Sequence, residues 1–205
     1  VVEKSKHCQE VVVMGEICRV FDACGCVVTE GCLMVVDDCM VYGEEIFALF
    51  HLARHKRVLE IGAYKGGSTA ILACAARHVC SVDTFMCDHV PGAEHQSTLA
   101  AWMKAVEPFG NCDCIVGNSQ DSNVHMKLNR NWDVLFIDAD HSYKGCLADL
   151  THYVPYVVDG GVVALHDYSM QFGGVIAAAQ NYFKRRPDNV EGSIAIYYLK
   201  SFENF

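Results

Sequence analysis

Two carboxylates and an imidazole follow the apolar run WDVLF in Ile137-Asp138-Ala139-Asp140-His141-Ser142-Tyr143. A second imidazole–carboxylate pair follows another apolar run in Leu165-His166-Asp167-Tyr168. Oxygen and imidazole ligands from two neighbouring strand ends could hold one divalent ion. Each cluster alone is more readily a cap or a salt bridge. Both on one sheet edge favour ligand chemistry.

Upstream lies Val58-Leu59-Glu60-Ile61-Gly62-Ala63-Tyr64-Lys65-Gly66-Gly67-Ser68, which reads as strand, glycine turn and helix start. Glycine lets the backbone pass close to a ligand, and a helix N-terminus offers free N–H groups. The spacing Gly62-x-x-x-Gly66-Gly67 is not the G-x-G-x-x-G of dinucleotide binders. Glu60 near the strand end suits a cationic or amine-bearing ligand better than a pyrophosphate. Asp83 ends the next strand in Val82-Asp83-Thr84-Phe85, roughly twenty residues on, where a carboxylate suits the hydroxyls of a ribose. Alone it is equally a turn cap. In Val116-Gly117-Asn118-Ser119-Gln120-Asp121, Ser119 could cap a helix, or Ser119 and Gln120 could meet an adenine edge.

The elements that must hold these residues alternate. Strands are expected at Arg57 to Ile61, His78 to Val82, Cys112 to Val116, Trp132 to Ile137, Gly161 to Leu165 and Ser193 to Leu199. Helices are expected at Gly43 to Arg54, Gly66 to Arg77, Glu94 to Val106, Ser119 to Leu128, Tyr143 to Tyr156 and Phe172 to Phe183. Such alternation implies a Rossmann-like, doubly wound α/β domain. Its sheet is mostly parallel, with seven strands, or six if the stretch between Phe183 and Gly192 is too short for one. Ligands then bind at the carboxyl ends of the strands. Residues 1 to 40 read as an N-terminal cap of helix and loop within the same domain as 41 to 205, from the spacing of Ile17, Val20 and Phe21 after Val11 to Met14. That apolar VVVM segment could also dock a second copy as a homodimer.

Composition narrows the class. With 205 residues, 52% hydrophobic, the chain can bury one α/β core. A formal net charge of -9 argues against nucleic acid or an anionic membrane as the main partner. The basic run Lys184 to Arg186 reads as a solvated helix end. No apolar run is long enough to span a bilayer. Twelve cysteines, many within apolar runs, read as small buried hydrophobes in a reducing compartment, hence a cytoplasmic protein.

Together these segments resemble the class I S-adenosylmethionine-dependent methyltransferases. VLEIGAYKGGS and VGNSQD are similar to the catechol and caffeoyl-CoA O-methyltransferases. FIDADHSYKGCLADLTHYVPYVVDGGVVALHDY is closer to the branch of cephalosporin-hydroxylase-like and macrocin-type sugar O-methyltransferases. The resemblance implies that Glu60, Gly62, Tyr64 and Ser68 line the methionine part of S-adenosylmethionine, with Ala63 and Gly66 in the same turn. It implies Asp83 at the ribose with Thr84 beside it, and Ser119 and Gln120 at the adenine. Asp138 would lie beside the cofactor as first metal ligand, with His166 and Asp167 completing the metal site. His141 falls where the catechol-type enzymes have a catalytic lysine. The implied activity is metal-assisted O-methylation of a hydroxyl on a small molecule or sugar. The implied ion is Mg or Mn, but a histidine at 166 favours Zn, Fe or Mn over Mg.

Three rivals remain on the residues alone. A NAD-dependent oxidoreductase would share the glycine turn, but the chain lacks the third glycine spacing and a Tyr-x-x-x-Lys pair. A non-catalytic cofactor-binding subunit would have no need of Asp138, His141, His166 and Asp167. A metal-dependent hydrolase would leave the glycine turn and Asp83 unexplained. His89 and His95 could border an acceptor pocket.

Overall fold

The computed structural model describes residues 8–13, 16–21, 26–29, 32–35, 40–86 and 96–200, the first four segments as backbone only. Those four are strands: β1 (Cys8–Val13), β2 (Glu16–Phe21), β3 (Cys26–Thr29) and β4 (Cys32–Val35). They pair antiparallel in chain order as a small sheet of their own. The expected helix and loop therefore give way to strands here. Runs such as Val11-Val12-Val13 and Val27-Val28 are β-branched, and that preference outweighs an incidental helical spacing.

From α1 (Glu44–Ala53) onward, helix and strand alternate as expected. They run β5 (Arg57–Ile61), α2 (Gly67–Ala75), β6 (His78–Asp83), α3 (Leu99–Val106), β7 (Cys112–Val116), α4 (Ser122–His125) and β8 (Trp132–Ile137). Then follow α5 (Tyr143–Tyr153), β9 (Val157–Leu165), α6 (Gly173–Phe183), β10 (Asn189–Glu191) and β11 (Ile194–Tyr198). The large sheet has seven strands in the order β10-β11-β9-β8-β5-β6-β7. The short stretch after Phe183 does supply a strand, the three-residue β10. β5 to β9 pair in parallel, and β11 is antiparallel to both its neighbours.

Alternate residues of a strand face opposite sides of the sheet. Val58, Val79, Val134 and Phe136 pack under α1 and α2, against Leu49, Ala53, Ile71 and Leu72. Leu59, Ile61, Leu135 and Ile137 pack under α5 and α6, against Leu150, Tyr153, Ala178 and Ala179. All these side chains are buried. Both faces are therefore covered, as a parallel sheet requires. Among the described residues, Cys80, Cys112, Cys114 and Cys146 are free thiols, and burial raises Cys112 and Cys146 to about 12. They pack as small hydrophobes in or against the core clusters. No helix among the described residues is long and apolar enough to cross a membrane.

Chain order reverses between β5 and β8. β5 continues to β6 on one side, while β8 continues to β9 on the other. The loops leaving β5 and β8 diverge there, opening the crevice in which this kind of sheet takes its ligands.

Candidate functional site

The glycine turn leaves β5 at that crevice. Gly62 has φ +88, and a Cβ there would overlap the carbonyl oxygen of Asp138, so only glycine fits between β5 and β8. Tyr64 also takes a left-handed conformation, with φ +47. Asp83 stitches the turn to β6. Its Oδ2 accepts from the amides of Ala63 at 2.6 Å and Tyr64 at 2.8 Å, and its Oδ1 accepts from Phe85 N at 2.5 Å. The carboxylate expected at a ribose thus already shapes the loop, and exposed Thr84 stands next to it.

Glu60 has no exposure at all. It accepts three hydroxyl hydrogen bonds, from Ser68 at 2.6 Å, Thr69 at 2.5 Å and Ser81 at 2.6 Å. Trp102 Nε1 donates in turn to Thr69 at 3.0 Å. Burial pushes the Glu60 carboxyl up to about 7, against the pull of the three hydroxyls. Two residues expected at the methionine end of a cofactor, Glu60 and Ser68, are therefore turned on each other inside the protein. Gly66, with φ +90, packs against Trp102 and Ala105 and seats the start of α2.

After β7 the expected long helix is a single turn. Asp121, not Ser119, caps it, accepting from Asn123 N at 2.8 Å. Ser119 donates to Asp149 on α5 at 2.7 Å, and its carbonyl accepts from Tyr153 OH at 2.5 Å. This pins the turn and leaves Gln120 exposed at the edge of the crevice.

The strongest convergence is across β8 and β9. Asp138 N donates to Ile61 O at 2.8 Å and His166 N to Ile137 O at 3.0 Å, which carries the sheet pairing one residue past the strand ends. His141 Nε2 lies 3.4 Å from Asp138 Oδ1 and 3.2 Å from Asp167 Oδ2. Asp167 takes a left-handed backbone with φ +55, which Asp adopts more readily than most non-glycine residues. One ligand atom each from Asp138, His141 and Asp167 lies within 4.8 Å of the others, a grouping that could hold a metal ion. Asp138, His166 and Asp167, the expected metal set, do lie close together, but the grouping above takes its imidazole from His141, with His166 beside it.

His166 sits behind that group, 6% exposed. Its Nδ1 is 3.4 Å from Asp138 Oδ1 and 3.7 Å from Asp167 Oδ2 and makes no formed hydrogen bond among the described residues. Its Nε2 meets Glu45 Oε2 at 3.2 Å. Burial disfavours a charged His166, but the carboxylates of Asp138 and Glu45 outweigh it and raise the imidazole to about 10. Asp138 is likewise penalised by burial, yet His141 and His166 hold it well below the usual carboxylate range. His141 is raised by its contact with Asp138, against partial burial. With 36% of its side chain exposed, it occupies the solvent side of the cluster, edge-on to Phe172.

A model of the methyltransferase domain matches residues 59–168, from the glycine turn to the His166-Asp167 pair. The chain belongs to this methyltransferase-domain family. No curated protein matches it. Among solved structures it is similar to the O-methyltransferase TomG from Streptomyces achromogenes, solved with S-adenosylmethionine. That likeness has a TM-score of 0.60 and 15% identity over 80% of this chain and 83% of the other. It is similar to CalS11, a TDP-rhamnose 3'-O-methyltransferase, at TM-score 0.56 and 15% identity over 75% and 77% of the two chains. An rRNA methylase from Streptococcus thermophilus aligns at TM-score 0.54 and 14% identity over 76% and 94%. At such identities the likeness is one of fold. The seven-stranded sheet is that of the class I methyltransferases.

Within this methyltransferase the motifs alone miss Glu45. Its place in the first turn of α1 suggests only a favourable helix dipole, while the fold brings it against His166 across 121 positions of sequence. No local spacing signals that pairing. His89 and His95 lie outside the described residues.

Proposed function

We propose that the chain transfers the methyl group of S-adenosylmethionine to a hydroxyl of a small molecule or sugar, with a divalent ion assisting. The observation that carries this reading is the grouping of Asp138, His141 and Asp167 beside the glycine turn, with the buried Nδ1 of His166 at 3.4 Å and 3.7 Å from its two carboxylates. Two carboxylates beside a buried imidazole nitrogen fit a divalent ion, which Asp138, Asp167 and His166 would hold once the Nδ1 proton is displaced. When bound, such an ion supplies Lewis acidity that lowers the pKa of an acceptor hydroxyl.

The protein's own residues do the rest. The backbone around Gly62 to Gly66 takes the methionine part of the cofactor, and the α2 N-terminus favours its carboxylate. Asp83 and Thr84 face the ribose, and Gln120 the adenine, on the turn that Ser119 pins to Asp149. Holding acceptor oxygen and sulfonium methyl in line supplies much of the acceleration. His141 accepts the hydroxyl proton as the methyl leaves sulfur for oxygen, yielding a methyl ether and a neutral thioether. Its raised basicity suits that task near neutral pH. The net charge of -9 favours a small acceptor over nucleic acid.

The test is calorimetric titration of S-adenosylmethionine with and without Mn²⁺, with NAD as control. Binding of S-adenosylmethionine and not NAD is expected. An absence of binding under all conditions removes the enzymatic reading and favours a non-catalytic member of the family.

A further inference from the structure

The proposed mechanism leaves Glu45 without a role, yet the fold goes to some length to place it. It is 8% exposed despite its position in the first turn of α1. Its Oε1 accepts from Ser193 N at 2.7 Å, and its Oε2 accepts from Tyr42 N at 3.1 Å while facing His166 Nε2 at 3.2 Å. A Cβ at Gly192 would strike the Glu45 side chain, so the turn before β11 closes directly on it. A carboxylate so fixed has a single orientation to offer the imidazole.

An imidazole has two nitrogens, and a hydrogen bond at one fixes what the other can do. The surrounding carboxylates favour a second proton on the ring, which a bound ion would displace; with Nε2–H still donating to Glu45, Nδ1 then carries the lone pair. That atom is the buried, partnerless nitrogen lying 3.4 Å and 3.7 Å from the carboxylate oxygens of Asp138 and Asp167. We propose that Glu45 is a positioning residue. By holding Nε2 of His166 it presents Nδ1 as a metal ligand, so that the site prefers ions that accept imidazole, Mn²⁺ or Zn²⁺, over Mg²⁺. This rests on the metal-assisted reading of the site.

The experiment measures the affinity of the full chain for Mn²⁺, Zn²⁺ and Mg²⁺ by competition with a chromophoric chelator, without substrate or cofactor. The wild type should bind Mn²⁺ and Zn²⁺ more tightly than Mg²⁺. Glu45→Gln should lose about 10- to 100-fold in Zn²⁺ affinity, the usual effect of removing the hydrogen-bond partner of a metal-bound histidine. Glu45→Asp, which keeps the charge but withdraws it, should lose affinity in the same direction. In a His166→Asn background, Glu45→Gln should cost nothing more. Circular dichroism and melting of the metal-free variants separate a folding defect from a binding one. A purely structural Glu45 would lower the metal-free melting temperature and leave affinity unchanged, which overturns the proposal. So does an equal loss in the His166→Asn background. Pulsed electron resonance of the wild-type Mn²⁺ complex gives a reading that needs no Glu45 variant. Loss of a nitrogen coupling in His166→Asn supports the assignment, and an unchanged spectrum overturns it. A wild type that binds none of the three ions sinks the metal reading itself. Tight binding that Glu45→Gln leaves intact sinks only the role of Glu45.

Discussion

Two buried polar clusters flank the β5/β8 switch point, and they differ in how complete they are. On the β5 side, Glu60 receives hydroxyls from Ser68, Thr69 and Ser81 and is sealed from solvent. On the β8/β9 side, His166 is almost as deeply buried but leaves Nδ1 without a partner, and its neighbours Asp138, His141 and Asp167 open toward the crevice. A closed cluster fixes the shape of a loop. One with an unpaired atom is costly unless something else binds it. On the proposed function the first cluster is structural and the second chemical, and substitutions in each should fail in different ways.

The largest effect is expected from Asp138→Ala. Asp138 touches both histidines and begins the loop after β8. Its loss should abolish turnover and weaken Mn²⁺ binding while the far-ultraviolet circular dichroism stays that of the wild type. Measurable turnover in this variant would move the chemistry away from the β8/β9 cluster.

Gly62→Ala should come next, and it joins the two clusters. The added Cβ overlaps the Asp138 carbonyl in a backbone conformation with φ +88. Strain and overpacking of this kind cost roughly 2–4 kcal/mol. A lower denaturant midpoint together with loss of S-adenosylmethionine binding is expected. A variant of unchanged stability would mean that β5 and β8 are less closely apposed than the structure has them.

His141→Ala tests the open cluster without disturbing its buried part. As a proton acceptor its removal should lower kcat by about 10²-fold. The pH–rate profile should lose its acidic limb, while KM for S-adenosylmethionine stays as it was. An unchanged kcat would make His141 a ligand or a cap rather than a base.

How far these roles could be read in advance varies with the distance over which each is built. The alternation of strand and helix after residue 56 and the glycine turn are local patterns, and they are legible. So is the pairing of Asp138 with His166 and Asp167, because strand ends in a parallel sheet meet by rule. The strands between Cys8 and Val35 were masked by a helical spacing, although their β-branched runs carried the opposing signal. Glu60 was expected to face a ligand because it ends a strand beside a glycine turn. Which way its side chain turns depends on hydroxyls eight, nine and twenty-one positions away. Ser119 looked like a cap, and its true partner, Asp149, lies thirty positions on. Glu45 is the extreme case, since its partner is set wholly by tertiary packing.

The closed cluster makes the subtlest prediction, in stability rather than catalysis. The Glu60 carboxyl is raised by burial from 4.5 to about 7. The folded protein therefore holds the Glu60 proton in a window where the unfolded chain has lost it. The protonated carboxyl favours folding most below pH 4.5, and that contribution is lost as pH rises toward 7. In Glu60→Gln the amide has nearly the same shape, keeps an acceptor for Thr69 and Ser81, and can donate to the Ser68 hydroxyl. It has no proton to lose. Urea titrations at pH 5 and pH 8 should show the wild type losing about 1–3 kcal/mol more than the variant over that interval. Other groups titrate in the same range, among them Asp149, raised by burial to about 6. The difference between the two proteins isolates Glu60 from them. Parallel pH dependence in both would mean that Glu60 is ionised in the fold, and a cation would then have to be sought at the β5 side as well.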